Sequence, residues 1–394
     1  MSNPTPFERL LKVVTKLASP LGTSKALSVV SGGAFLGFAF VIFFLSVFLP
    51  SYNYDAVPSV GSALKFNGHS SETTHQQAWA AFQSKMSEAD FIELSKGNDY
   101  RSTQSSNVNA FTSVLPLYSA KFAYVYLLSL AQDAKQMVTM ASWTSHLSAL
   151  ALGLTCFFWM FRSRSLQGAA FVISLLLMTN YFELARNIGP DILASAFTLI
   201  GLYYWLQKRA WLSMGIFFAA LMFRPDTIIL LFAIVLVGIL FRMEKMPALI
   251  TFICGLAISI WMQKLVGHPG WWTHYYFSTV SIQPTLEGFE PAFSFFAWLK
   301  GFARGVFMSV ANFNWAAVFL TLLVGLATMI KFGLQFTQRK TALIAACILT
   351  IGGKFLVFPL PDSRLYLVFL LAILLTSLEV WKPNFSWVKP APAD

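Results

Sequence analysis

Charge is scarce in this chain. Only 11% of its 394 residues are Asp, Glu, Lys or Arg, less than half the share of about 25% usual in soluble domains. Too little polar surface remains for a soluble enzyme or a disordered protein. Cysteine is scarcer still. Cys156, Cys254 and Cys347 each fall inside an apolar run, with no C-x-x-C spacing, which argues against a disulfide scaffold or a thiolate metal site and reads as small buried hydrophobes. Acidic residues are the minority charge, 17 against 28 basic, for a formal net charge of +11. That excess has no basic patch interleaved with exposed aromatics, so nucleic-acid binding is set aside.

What the chain has in abundance is apolar surface: 56% of residues are hydrophobic, with 39 Phe and 12 Trp. Apolar stretches of about 17 residues or more cross a hydrocarbon core roughly 30 Å thick. About ten spanning candidates fall near 29–50, 137–161, 166–184, 190–207, 211–224, 226–242, 246–264, 306–331, 341–358 and 364–381, of which the fifth and sixth are short, parted only by Phe223-Arg224-Pro225, and read equally as one hairpin or a broken span. The expected fold is therefore an all-α polytopic membrane protein, a single transmembrane domain over 29–381. No internal repeat or separate soluble domain is visible.

Basic residues collect in alternate short loops: Arg162 and Arg164, Lys208 and Arg209, Arg242 and Lys245, then Lys331, Arg339 and Lys340. By the positive-inside rule these loops and both termini are cytoplasmic. Residues 1–28 then form a basic cytoplasmic segment, in which Phe7, Leu10, Leu11, Val14 and Leu17 share one helical face with Arg9, Lys12 and Lys16 among them, as in a helix lying on a membrane surface. Residues 382–394 form a cytoplasmic tail. The run near 29–50 is longer than a signal-peptide core and lacks a small-x-small cleavage site.

Two long loops, about 51–136 and 265–305, lie on the opposite, external face. Loops of that length are usually functional or disordered. In the first, 72–94 places Ala78, Trp79, Phe82, Met86 and Phe91 among polar residues, the pattern of an interfacial amphipathic helix. A polar stretch at 102–113 follows. Then 115–131 is apolar but holds Lys121, which suits a membrane-surface or re-entrant helix.

Ionisable residues near a membrane are costly and call for a reason. On this topology they converge on the external face: Asp55, Lys121, Arg186, Asp191, Arg224, Asp226, Asp362 and Arg364, with Lys354 inside the ninth span and His268, His274, Tyr275 in the second long loop. Each has a plain alternative. Arg224-Pro225-Asp226 and Pro361-Asp362-Ser363-Arg364 also read as turns with local ion pairs, His146 as a packed histidine, and the Trp/Tyr cluster at 271–276 as an interfacial belt. Together they suit phosphate chemistry: Arg and Lys hold an anionic leaving group, and a carboxylate accepts a proton from a hydroxyl nucleophile. Carboxylates with His268 or His274 offer donors for a divalent metal, without the spacing of a metal motif.

In order along the chain, Asp55 after the first span, Leu115-Pro116-Leu117-Tyr118 through Lys121 to Tyr126, Arg186 through Pro190-Asp191, Gly215 through Arg224-Pro225-Asp226, and Arg364-Leu365-Tyr366 resemble the motifs of the GT-C superfamily, the multi-span glycosyltransferases that use polyprenyl-phosphate sugars. The resemblance implies a GT-C-like fold, with membrane-surface helices in the first external loop, in a bacterial inner membrane with its active site facing the periplasm. It implies a polyprenyl-phosphate-linked sugar donor and a cell-envelope acceptor (glycan, lipid or pilin-like protein). Asp55 would be the general base. Lys121, Arg224, Arg364 and Arg186 would bind the donor phosphate, with Asp191, Asp226, His268, His274 and Tyr275 as substrate-binding candidates. Two departures stand out: Asp55 has no adjacent second acid, and no large soluble domain follows the spans. The rival readings are a transporter or flippase of a lipid-linked saccharide and a structural subunit of an envelope complex.

Overall fold

The computed structural model describes Thr5, residues 22–312 and residues 314–386. The surface helix expected at 7–17 and the tail beyond 386 lie outside the described residues. Those described form helices and connecting turns, with one isolated backbone bridge, Ser51 to Asn187, in place of any sheet.

Four helices are long and apolar enough to cross a membrane: α1 (Ser24–Phe48), α8 (Ala134–Ser163), α14 (Met246–Leu265) and α18 (Gln338–Val357). Capping sets where several of them begin. The Thr23 side chain accepts from Ala26 N at the start of α1, Asp133 from Gln136 N at the start of α8, and Thr337 from Lys340 N at the start of α18, each satisfying a donor that the first turn leaves orphaned. At 1.5 Å per residue, the 25 residues of α1 span roughly 37 Å. Its buried positions, Gly32, Phe35, Ala39, Ile42 and Ser46, recur at three- and four-residue intervals and face α8. There Gly153 comes so close that a Cβ on it would lie 3.0 Å from that of Ala39.

Shorter apolar helices complete the bundle: α9 (Ala169–Met178), α11 (Asp191–Leu206), α12 (Ala210–Phe223), α13 (Ile228–Leu240) and α19 (Leu367–Trp381). α19 is the central helix. Eleven of its fifteen residues are buried, and it packs against α8, α9, α11, α18 and α17 (Trp315–Lys331). A helix apolar on every face belongs inside a bundle.

A second core caps one end of the bundle. Helices α2 (Ala56–Phe66), α3 (Ser71–Gln83), α4 (Glu88–Lys96), α5 (Asp99–Ser106), α6 (Val108–Ser119) and α7 (Phe122–Ser129) fold the segment after α1 into a compact layer. It is filled by Val57, Val60, Phe82, Phe111, Leu115, Tyr124 and Leu128. Ala56 to Leu64 are all buried. Gly61 is needed there, because a Cβ would sit 2.8 Å from the Phe111 ring.

Several expectations change. The single amphipathic helix at 72–94 is two helices, α3 and α4, each with its own serine cap, Ser70 and Ser87. The polar stretch at 102–113 is helical, because Asn98 and Asn107 cap α5 and α6. The apolar run 115–131 breaks at Lys121, between α6 and α7. The run 166–184 also breaks, where Asn180 takes a left-handed φ of 56° before α10 (Tyr181–Arg186). Instead of one span at 306–331, α16 (Phe295–Ala311) and α17 meet at 78°, so the candidates long enough to cross a membrane number four, or five if that bent pair is one span. Cys156 and Cys347 are buried as expected, whereas Cys254 is exposed.

Candidate functional site

The cap meets the bundle along a chain of ion pairs. Asp55 stands at the N-terminus of α2, yet its side chain caps nothing. One oxygen, Oδ1, accepts from the Tyr118 hydroxyl at 3.0 Å, and Oδ2 accepts from Arg364 Nη1 at 3.0 Å. The same Nη1 lies 3.0 Å from Asp191 Oδ2. Asp191 Oδ1 faces Arg224 Nη1 at 3.2 Å, and Arg224 grips Asp226 through Nε at 3.1 Å and Nη2 at 3.0 Å. Lys354, from α18, ends the chain on Asp226 Oδ2 at 2.7 Å. Asp362 branches off to Arg364 Nε at 2.8 Å.

Local structure puts these groups at element ends. Asp191 opens α11, Asp226 sits in the 3-10 turn Pro225–Thr227 that leads into α13, and Arg364 in the 3-10 turn Ser363–Leu365 that leads into α19. Carboxylates at helix N-termini also face the positive end of the helix dipole. Asp362 holds the last turn in shape, since its Oδ1 accepts from Arg364 N at 3.0 Å. Side-chain exposure is highest at Asp55 and Asp362, 36% each, and at Asp226, 32%, and lowest at Arg224, 13%, and Lys354, 8%. The network is thus open at both its Asp55 and its Asp226 end.

Lys121 makes no ion pair among the described residues. Its Nζ stands 5.2 Å from the centre of the Tyr118 ring, at the turn between α6 and α7. Burial lowers its pKa, more than Asp191 and Asp55 raise it. At Asp55 the balance runs the other way. Burial pushes the carboxyl up, but Arg364 and then Lys121 outweigh it and hold the group below its ordinary value. Burial and the neighbouring Asp55 hold the Tyr118 hydroxyl protonated, well above its ordinary pKa.

The other candidates fall outside this chain. Arg186 pairs with Glu183 at 2.9 Å and donates to the Leu49 carbonyl, which fastens α10 to the end of α1. His268 and His274 lie ring to ring at 5.4 Å, with His274 against Phe358. Burial, with His268 and Lys121 adding to it, lowers the His274 pKa to about 3, so it is neutral at pH 7 and unsuited to hold an anion by charge. Tyr275 donates its hydroxyl to the Trp298 carbonyl at 2.6 Å, a tie between the turn and α16. No group of three or more His, Cys, Asp or Glu among the described residues is arranged to hold a metal.

Sequence reading singled out Asp55, Lys121, Asp191, Arg224, Asp226 and Arg364, and the structure brings these six together. It underrated Lys354 and Tyr118. A lysine inside an apolar helix is itself a signal of a buried acid partner, whereas nothing local marks the Tyr118 hydroxyl as the partner of Asp55. The fold and the site together define a helical membrane protein with a network of ion pairs where its polar cap meets the bundle. No family model, curated protein or solved structure matches the chain.

Proposed function

We propose that this protein is an integral-membrane glycosyltransferase of the GT-C type. It moves one sugar from a polyprenyl-phosphate carrier to a cell-envelope glycan, lipid or pilin-like acceptor. The observation that carries this reading is the meeting of Asp55, Lys121, Arg224 and Arg364, four residues from four separate resembling motifs, around one shared carboxylate, Asp191.

The acceptor hydroxyl displaces Tyr118 from Asp55 and gives its proton to the carboxylate as its oxygen attacks the anomeric carbon. The bond from that carbon to the phosphate oxygen breaks, and the polyprenyl phosphate leaves with the bonding pair. A single displacement inverts the anomeric centre. Lys121 and Arg364 neutralise the leaving phosphate, with Arg224 behind them. For Arg364 to turn to the phosphate it must loosen its hold on Asp55, which frees the base in the same motion. Arg186, tied to Glu183 and Leu49, has no part in this site. His274 stands close enough to Lys121 for their charges to interact.

On this reading the four long helices, the bent pair and the five shorter apolar helices make ten crossings of a bacterial inner membrane, and the basic short loops support cytoplasmic termini with the cap and this site on the periplasmic face. Loss of a general base costs roughly 100-fold or more. Asp55→Asn is therefore expected to abolish transfer at unchanged expression and donor binding, and full activity would contradict the assignment. A flippase finds some support in the Lys354–Asp226 pair, because Lys354 is a lysine on an apolar helix with only 8% of its side chain exposed. On that reading Asp55→Asn leaves lipid translocation intact and no transfer is ever seen.

A further inference from the structure

A second polar site lies away from the ion-pair network. A cavity of about 170 Å³ opens where the cap ends of α1 and α8 meet the cap, lined by Val47, Pro50, Tyr52, Lys85, Val138, Thr139, Ser142, Trp143 and His146. None of the network residues borders it. Its only charged side chain is Lys85, from the turn after α3. The Lys85 ammonium, the Tyr52 hydroxyl and the Trp143 indole N–H make no hydrogen bond among the described residues. His146 is 97% buried, with 3% of its surface exposed. Its Nδ1 meets the Ala185 carbonyl at 3.4 Å. A carbonyl can only accept, so that nitrogen carries the proton and Nε2 is left as an acceptor. The site thus offers one cation, two further donors, the His146 Nε2 acceptor and the hydroxyl oxygens of Thr139 and Ser142, with no carboxylate.

We propose that this cavity binds the headgroup of an anionic phospholipid, a phosphodiester bearing a free hydroxyl such as phosphoglycerol. Lys85 takes the phosphate in a charge-assisted hydrogen bond, with the Trp143 N–H and Tyr52 hydroxyl beside it, and His146 Nε2 accepts from the headgroup hydroxyl. The lipid source follows from what lies next to the cavity. Phe44, Phe48, Trp143 and Leu147, on α1 and α8, are 47–75% exposed, and these two helices are among the four long enough to cross a membrane. An acyl chain can therefore run down their seam while its headgroup stays in the cavity. The proposal needs only that α1 and α8 span the membrane and stands apart from the glycosyltransferase reading.

The test measures lipid binding to the full chain in neutral detergent by native mass spectrometry, with phosphatidylglycerol, phosphatidylcholine and soluble glycerol phosphate as probes. Wild type is expected to retain phosphatidylglycerol over phosphatidylcholine. Lys85→Gln is expected to weaken phosphatidylglycerol roughly tenfold, the loss of one hydrogen bond to a charged group. His146→Phe, which keeps the packing and removes the acceptor, should narrow the preference for phosphatidylglycerol over phosphatidylcholine, whose headgroup has no hydroxyl to donate. Both variants must keep the wild-type thermal transition. Equal retention of the two phospholipids, or an unchanged Lys85→Gln in a folded protein, would overturn the site. Equal affinity for soluble glycerol phosphate would overturn the lipid assignment.

Discussion

Asp191 carries two cations at once, Arg224 on one oxygen and Arg364 on the other. Removing it takes one partner from each, though Arg224 keeps Asp226 and Arg364 keeps Asp55 and Asp362, so the loss falls short of the about 3–5 kcal/mol of an unpaired buried charge. These side chains keep 13–29% exposure, which discounts the loss to ~2 kcal/mol. Asp191→Asn should therefore lower the melting temperature in detergent by several degrees, and an unchanged transition would show that the network is loosely held. Asp55 makes a prediction with a sign. Its folded pKa lies below the unfolded value, about 3.9 for an aspartate. Its ionic contribution to stability is thus present above about pH 4 and is lost as the pH falls through the folded value. Stability curves of wild type and Asp55→Asn, followed by thermal unfolding against pH, should stand apart at pH 6 and converge below about pH 4. The candidates themselves were legible because a charge in so apolar a chain is costly and has to be accounted for. Their pairing was not, because Asp55 and Arg364 stand 309 residues apart and no local signal joins them.

Among the elements, α16 meets the loop before the Arg364 turn at a single glycine. A Cβ on Gly305 would run into the Pro359 carbonyl, and backbone cannot step aside as a flexible side chain can. Overpacking of this kind costs about 1–3 kcal/mol. Gly305→Ala should push the 358–362 segment away, lower the melting temperature and weaken activity through Arg364, whereas Gly325→Ala, with open space around it, should be silent. Equal behaviour of the two would contradict that role for α16. Hydropathy alone located the apolar stretches, since burial from water needs only composition and length. Their breaks were less visible. Lys121 ends one apolar run with a backbone ψ of 58°, outside the helical range, and Asn180 ends another through a left-handed backbone, a conformation that asparagine tolerates better than most residues. The cap helices were underread for a related reason. Their caps, Ser70, Ser87, Asn98 and Asn107, lie in segments whose polarity suggests loop.

For the molecule as a whole, the proposed topology puts the loops that carry Arg162, Lys208, Arg242 and Lys331 on the cytoplasmic side by the positive-inside rule. In a background without Cys254, a cysteine at exposed His69 in the cap should react with an impermeant maleimide in intact spheroplasts. Cysteines at exposed Arg162 or Gln335 should react only after permeabilisation. Labelling of all three from one side would break the ten-span topology.

On the proposed function, a lipid-linked phosphate sits against Lys121 and Arg364. The most direct test is native mass spectrometry of protein extracted in mild detergent, wild type beside Lys121→Ala and Arg364→Ala, before and after adding polyprenyl phosphate. A polyprenyl phosphate, or its sugar conjugate, bound to wild type and lost from both variants at unchanged folding is the predicted result. No such lipid on wild type even after it is added back, or equal binding by all three proteins, would contradict it.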